Sequence, residues 1–230
     1  MGNYGMSEIQ KLIENCQFDE FKNAVNAGEI DINDEYQKRY GMGGSVRSFS
    51  YRYAPDLENT IKWVKLFASL GADFNNEMRS LVNHVYGPEL IKTLVELGVD
   101  IHRRDDVNQT IMFYTARFGN TEFIKCLAEL GADVNARDNN GRTPVFYTIE
   151  QDRVDNMRCL AELGADVNAR DNNGRSAVFN AISEQKIDSI KCLASLGADF
   201  NVKDNDGSTP LSYAKNYPKI AKLLKANGAK

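Results

Sequence analysis

A 13-residue string, L-G-A-D-V-N-A-R-D-N-N-G-R, occurs twice in this chain of 230 residues, at Leu130–Arg142 and at Leu163–Arg175. The two copies start 33 residues apart. A period of this length is typical of a stack of small units, each of which buries its apolar face only against its neighbours. Because such a stack presents open surfaces, the period disfavours an enclosed active site.

Glycines extend the period beyond the two identical strings. They recur every 33 residues in L-G-x-D strings, at Gly98, Gly131, Gly164 and Gly197. The flanking intervals are irregular, since Gly71 lies 27 residues before Gly98, Gly28 lies 43 before Gly71, and Gly228 lies 31 after Gly197. We therefore predict one domain over residues 1–230, made of seven units with approximate bounds 1–33, 34–77, 78–104, 105–137, 138–170, 171–203 and 204–230.

The fold of one unit can be derived from residues 138–170. The D-N-N-G string at its start favours a turn, because Asx side chains bond nearby backbone and glycine accepts positive φ. Thr143 is suited to cap a helix, and Pro144 suits the first helical residue. A second apolar stripe at helical spacing ends at Gly164, which predicts a left-handed C-terminal cap.

This unit resembles an ankyrin repeat, with its T-P-L-H-x-A motif and its G-A-D-V-N ending. The resemblance implies an all-α solenoid of paired antiparallel helices with short hairpin-like fingers, and it is strongest over residues 105–230. The chain departs from the motif at the histidine, so we expect aromatic packing to replace the hydrogen bonds of that residue. The equivalent residues are Phe113, Phe146, Phe179 and Ser212. Ser176 is still able to cap its helix, although the following proline is replaced by alanine.

Composition and motifs indicate a folded chain without catalytic or cofactor chemistry. The hydrophobic fraction of 42% is normal for a folded protein, and the net charge of −4 disfavours nonspecific nucleic-acid binding. His84 and His102 lie outside any zinc-binding spacing. Asp133, Asp166 and Asp199 recur with the period, which predicts a role in turns. With no run of 18 apolar residues, we expect no membrane span.

Three cysteines, Cys126, Cys159 and Cys192, also recur every 33 residues. They could form a metal or disulfide ladder, or they could be small core residues copied with the repeat. Neighbouring helix axes lie about 8–10 Å apart, whereas bridged cysteines need Cα atoms within about 7 Å. The core interpretation is therefore favoured, and nothing requires an oxidising compartment, so we expect a cytoplasmic protein.

The long second unit contains a basic-aromatic segment, residues 36–53, which holds four basic and five aromatic residues and no acid. Arg39, Tyr40, Arg47 and Tyr51 are its candidate partner contacts, because arginine and tyrosine are favoured at interface hot spots. Three interpretations are open: a finger that contacts a protein, a platform that stacks nucleic-acid bases, or a loop that packs on the stack. The next unit is six residues short, so the two together would form a notch in the row of fingers.

The regular units offer a second candidate surface. By resemblance, the finger tips and the exposed side of each first helix form a concave face, with candidate contacts at Arg142, Tyr147, Arg175 and Tyr213. The tyrosines occupy equivalent positions, and two interpretations are open for them: packing between units, or an aromatic strip on the concave side.

We therefore predict a non-catalytic, monomeric protein–protein interaction module that needs no cofactor and binds a partner protein through the concave groove and finger tips. The alternatives are a bacterial toxin-neutralising or host-delivered protein of the same fold, and, in another functional class, a structural protein that assembles end to end.

Overall fold

The structure is a computed structural model that describes residues 11–12, 14–29, 56–70 and 87–230. It divides into two compact units, Met1–Asp100 and Ile101–Lys230. The organisation into seven repeats within a single domain stays a prediction, and the repeat boundaries proposed near residues 33 and 77 lie outside the described residues.

The first compact unit contains three described helices, α1 (Phe18–Asn26), α2 (Leu57–Ser69) and α3 (Gly87–Glu96). Helix α2 begins after Asp56, whose carboxylate accepts a hydrogen bond from the backbone N–H of Asn59 at 2.8 Å. An aromatic cluster joins α1 to α2: the ring centroids of Phe21 and Trp63 are 5.2 Å apart, and those of Phe21 and Phe67 are 5.3 Å apart. Burial of these large rings supplies much of the local core.

The second compact unit is a series of helix pairs with the period of the sequence. The pairs are α4 (Ile111–Phe118) with α5 (Thr121–Glu129), α6 (Pro144–Glu150) with α7 (Val154–Glu162), α8 (Ala177–Ser183) with α9 (Ile187–Ser195), and α10 (Pro210–Tyr213) with α11 (Pro218–Ala226). A 3₁₀ turn at Ala214–Asn216 links the last two. The first helices of the four pairs begin 33 residues apart, so the repeat in the sequence is a repeat in structure.

Helices in the second unit form two rows. The first helices α4, α6, α8 and α10 pack side by side, and α5, α7 and α9 form the row behind them. Phe113, Phe146 and Phe179 lie at equivalent positions of the front row and are at most 2% exposed. The expectation that aromatic packing replaces the histidine is met by ring contacts at Phe113 and Phe179, whereas Phe146 is buried without contacting another aromatic ring among the described residues. The predicted all-α repeat fold is confirmed.

Glycine ends the second helix of each pair, as predicted. At Gly164 the backbone is left-handed, with φ of +90°, a conformation that L side chains adopt at a cost. The N–H of Gly164 donates to the carbonyl of Ala161 at 3.0 Å, and the N–H of Ala165 donates to that of Leu160 at 2.9 Å. These two bonds are the Schellman pattern, which satisfies carbonyls that the helix itself leaves without donors.

The predicted helix caps at Thr143 and Ser176 are correct in position but lack the side-chain hydrogen bond of a cap. Both residues occupy the N-cap position with extended backbone, but neither side chain accepts a capping hydrogen bond, and both hydroxyls are buried without a partner among the described residues. The N–H groups of Phe146 and Phe179 donate instead to the backbone carbonyls of Thr143 and Ser176, each at 3.0 Å. Among the first helices of the four pairs, only the last has a hydroxyl cap, since the side-chain oxygen of Thr209 accepts a hydrogen bond from the N–H of Ser212.

The turns before the first helices form a row of fingers that are bonded to one another. The N–H of Asn172 donates to the carbonyl of Asn140 in the preceding finger at 2.9 Å, and the other regular fingers repeat this bond. Arginines add a second ladder, since the guanidinium of Arg137 donates to the carbonyls of Gly141 in its own finger and Arg170 in the next, each at 2.7 Å. Arg104 and Arg170 make equivalent bonds. The fingers therefore behave as one continuous edge.

We expect Arg137→Ala to lower the free energy of unfolding by about 1 kcal/mol, because two backbone carbonyls lose a charged donor at a site where water can partly replace it. Urea denaturation monitored by circular dichroism measures the change. Arg153→Ala is the matched control, since Arg153 is exposed and its side chain makes no hydrogen bond with any residue that the structure describes. Equal stability of the two variants would contradict a structural role for the ladder.

Candidate functional site

Each regular finger is organised by a buried aspartate: Asp138, Asp171 or Asp204, all at most 6% exposed. In the first of these, Oδ1 of Asp138 accepts from the backbone N–H groups of Asn140 and Arg142 at 2.8 and 2.9 Å. The other two fingers repeat these bonds. One carboxylate oxygen thus holds the turn, which leaves the second oxygen free to bind something else.

A tyrosine nine residues later takes that second oxygen in three fingers. The hydroxyls of Tyr114, Tyr147 and Tyr213 donate to Oδ2 of Asp105, Asp138 and Asp204 at 2.5, 2.6 and 3.2 Å. These bonds fasten each finger to the first helix of its own pair. Sequence reasoning missed this pairing, although the spacing of aspartate and tyrosine repeats with the 33-residue period and could have revealed it.

Tyr147 is packed between repeats. Its ring meets Phe113 of the preceding pair edge to face, with centroids 5.4 Å apart, and its hydroxyl accepts from the side-chain amide of Gln109 at 2.6 Å. Burial, and then the hydrogen bond to Asp138, raises the pKa of the Tyr147 hydroxyl well above its ordinary value of 10.0. Of the two interpretations of the tyrosines, packing between units describes Tyr147, which is only 6% exposed.

Tyr213 makes the same kinds of contact as Tyr147, with an aspartate and a phenylalanine, but it is half exposed. Its ring lies edge to face against Phe179 with centroids 5.0 Å apart, and the guanidinium of Arg175 covers it at 5.1 Å. Nε of Arg175 also donates to Oδ2 of Asp204 at 3.2 Å. Tyr213 and Arg175 are therefore brought together by the fold, and both are held by Asp204.

The electrostatics at Asp204 follow from these contacts. Burial works to raise the pKa of Asp204, but the hydrogen bonds donated by the backbone N–H of Ser208 and by Arg175 outweigh it. The pKa of this carboxyl consequently lies below its ordinary value of 3.8. The carboxylate is a charged structural anchor rather than a proton donor at neutral pH.

Arg142 occupies the position equivalent to Arg175 but is held much less well. Its Nε lies 3.9 Å from Oδ2 of Asp171, and that buried nitrogen has no hydrogen-bond partner among the described residues. The residue that would supply a ring beneath its guanidinium is Asn180 rather than tyrosine. The side chain is 33% exposed, so part of it is accessible to solvent although its Nε is buried.

The end of α4 adds a charged and aromatic patch to the same row. Arg117 forms an ion pair with Glu150, and its guanidinium lies 5.1 Å from the ring centroid of Phe118 and 5.7 Å from that of Tyr147. Phe118 is 39% exposed, which is high for a large apolar side chain. Aromatic surface beside a cation suits protein recognition.

Asparagines at the tips of the regular fingers hold neighbouring fingers together. The side-chain amides of Asn139, Asn172 and Asn205 each donate to a carbonyl of the preceding finger, at 3.3, 2.9 and 3.0 Å. The remaining candidate contacts of the basic-aromatic segment, Arg39, Tyr40, Arg47 and Tyr51, lie outside the described residues.

Other chemistry is sparse in the described part of the chain. Cys126, Cys159 and Cys192 are buried, and burial raises the pKa of the Cys159 and Cys192 thiols. Among the described residues, no three side chains of the His, Cys, Asp or Glu types are grouped as metal ligands would be. Within the same residues, no helix has the length and apolarity that crossing a bilayer requires.

Comparison with known families identifies the type of repeat. The family model described as ankyrin repeats (three copies) matches residues 80–171 and residues 163–230. Together these matches cover about two thirds of the chain, including all the fingers described above. No curated protein matches the chain closely enough to indicate a relative.

We expect Tyr147→Phe to lower the free energy of unfolding by about 1–2 kcal/mol, because the variant leaves Oδ2 of the buried Asp138 and the amide of Gln109 without their shared partner. Urea denaturation measures the change. Tyr217→Phe serves as control, since the Tyr217 hydroxyl makes no hydrogen bond within the described part of the chain and its ring is only half buried. If both variants were equally stable, the aspartate–tyrosine bond would not anchor the finger.

The lowered pKa of Asp204 predicts a dependence of stability on pH. An aspartate in an unfolded chain has a pKa of about 3.9, so the folded state holds this proton less tightly than the unfolded state. The stabilising contribution is complete above about pH 4 and is lost as the pH falls through the lower, folded-state value. Asp204→Asn should therefore show a smaller acid-induced loss of unfolding free energy than the wild type. Asp206→Asn, at a side chain that is 84% exposed, should behave like the wild type.

Proposed function

The chain belongs to the ankyrin-repeat family, and from that premise we propose that it is a non-catalytic module that binds a partner protein in the groove between its fingers and first helices. Ankyrin repeats are generally protein–protein interaction modules. The bonded fingers support this function, because a surface that is already ordered loses little conformational entropy when it binds.

The observation that carries the proposal is the contrast between Arg142 and Arg175. Arg175 is satisfied by Asp204 and by the ring of Tyr213, whereas Nε of Arg142 makes no hydrogen bond within the described residues. Guanidinium groups present five donors in a planar fork, which matches a carboxylate. We propose that Arg142 is the main charged contact and that it binds an acidic side chain of the partner.

In this proposal, the other predicted contact residues differ in how directly they meet the partner. Tyr213 and Arg175 border the groove and touch the partner, while the buried Tyr147 shapes the floor beneath it. Arg39, Tyr40, Arg47 and Tyr51 form a second contact area at the notch. We further propose that the protein acts as a cytoplasmic monomer, without a cofactor and without binding nucleic acid.

The test is affinity capture from the native host with three forms of the full chain: wild type, Arg142→Glu and Arg153→Glu. We expect the first substitution to reduce recovery of one specific partner about tenfold or more, because it places like charges together in the groove. Quantitative mass spectrometry measures recovery, and thermal unfolding checks that both variants remain folded. Arg153 is an exposed arginine at the start of α7, outside the fingers, so its variant should recover the partner as the wild type does.

A partner recovered equally by all three forms would contradict binding at this part of the groove. The single Arg142 variant is preferable to one at Arg175, because Arg175 also holds Asp204 and its replacement would disturb the finger.

A further inference from the structure

One repeat breaks the aspartate–tyrosine pattern. Asp171 is followed nine residues later by Asn180, whereas Asp105, Asp138 and Asp204 are each followed at that distance by a tyrosine that donates to the carboxylate. The break falls inside the most regular part of the stack, where the turn bonds of Asp171 and the start of α8 repeat those of the neighbouring pairs.

Three groups around Asn180 lack the partners that their equivalents have. Within the described residues, Oδ2 of Asp171 receives no hydrogen bond, and its ion-pair partner, Nε of Arg142, lies 3.9 Å away. That nitrogen is itself buried without a hydrogen-bond partner among the described residues. Phe146 meets no aromatic ring in the same residues, while the equivalent rings of Phe113 and Phe179 each meet the edge of a tyrosine.

Resting on the proposed function, we propose that a tyrosine of the partner protein inserts at Asn180 and completes this repeat. Its hydroxyl donates to Oδ2 of Asp171, its ring lies against Phe146, and the guanidinium of Arg142 covers it. The arrangement is the one that Tyr213 makes within the chain, with an O–O distance of 3.2 Å to Asp204, a centroid distance of 5.0 Å to Phe179 and a distance of 5.1 Å from Arg175 to the ring.

The position is accessible from the groove. Tyr213, the equivalent residue, is half exposed, and so is Asn180. Phe146 is covered in the free protein, so an incoming ring displaces the side chains of Asn180 and Arg142 toward solvent. This costs little, because the Asn180 amide makes no hydrogen bond with described residues and interface side chains commonly change rotamer on binding.

The chemistry selects an unmodified tyrosine. Phenylalanine would cover Phe146 and shield Oδ2 of Asp171 from water without offering that oxygen a donor, which carries a desolvation cost. A phosphorylated tyrosine has lost the donor and brings negative charge beside the Asp171 carboxylate. Discrimination by a buried polar group of this kind is stronger than discrimination by apolar contact alone.

The first experiment titrates the full chain with N-acetyl-L-tyrosinamide and follows ¹H–¹⁵N spectra. We expect saturable shifts centred on the backbone of residues 171–180 and on the Asn180 side-chain amide. N-acetyl-L-phenylalaninamide should bind several-fold more weakly, and the phosphotyrosine analogue more weakly still. Absent or non-saturable shifts in this region, or equal binding of the three probes, would overturn the proposal.

The second experiment fills the position from within the chain. Asn180→Tyr should abolish the probe-induced shifts and raise the melting temperature, since the new hydroxyl reaches Asp171 as Tyr213 reaches Asp204. Asn180→Ala is the matched control, because it removes the amide without supplying a ring and should keep probe binding. Retained probe binding in Asn180→Tyr, with a raised melting temperature, would place the probe elsewhere and contradict the proposal.

The two proposals fail differently when the captured partner is measured. If Arg142→Glu loses the partner while Asn180→Tyr binds it as the wild type does, the groove is correct and the inserted tyrosine is wrong. If neither variant changes capture, the proposed function fails at this groove. Loss of about tenfold in both variants, with Asn180→Ala unaffected, supports both.

Discussion

The buried carboxylate at the base of each finger is the interaction on which the rest of the second compact unit depends. Burying a carboxylate is costly unless its oxygens are bonded, and Asp138 satisfies this requirement with two backbone N–H groups on one oxygen and Tyr147 on the other. The first pair of bonds shapes the turn, and the third fastens the turn to a helix. The fingers then bond to one another through backbone and arginine donors, which fixes the row of fingers that borders the proposed groove.

Much of the fold follows from the sequence because the repeat period and helix signals are local or regularly spaced. The spacing of 33 residues predicted the spacing of the first helices, and Gly164 predicted the end of a helix. Thr143 and Ser176 stand at the predicted cap positions, but the absence of their side-chain capping bonds could not be predicted, for a physical reason. Residue type shows that a hydroxyl is suited to cap a helix, but it does not show that the N–H three residues later will turn to a backbone carbonyl instead.

The candidate site was less predictable, because its contacts join residues of different repeats. The sequence identified Arg142 and Arg175 as equivalent, yet only the structure shows that Arg175 is fully engaged and Arg142 is not. The difference comes from a residue 38 positions further along, which is tyrosine in one case and asparagine in the other. The spacing of residues in the sequence also does not determine the direction of a side chain. From the sequence, a buried Tyr147 therefore could not be distinguished from one exposed along the proposed groove.

The finger ladder has a consequence for how such a surface can change over evolutionary time. Arg137 donates to the backbone carbonyl of residue 170, and Arg170 donates in turn to that of residue 203. Each regular repeat therefore supplies one arginine donor to the next repeat and one backbone carbonyl acceptor to the previous repeat. The acceptor is a backbone group, so the bond does not depend on the side chain at the accepting position. Duplicating 33 residues in frame would lengthen the edge without orphaning a donor. Recognition in such a protein can therefore grow by copying a segment and then altering one position within the copy, as the contrast between Tyr147 and Asn180 illustrates.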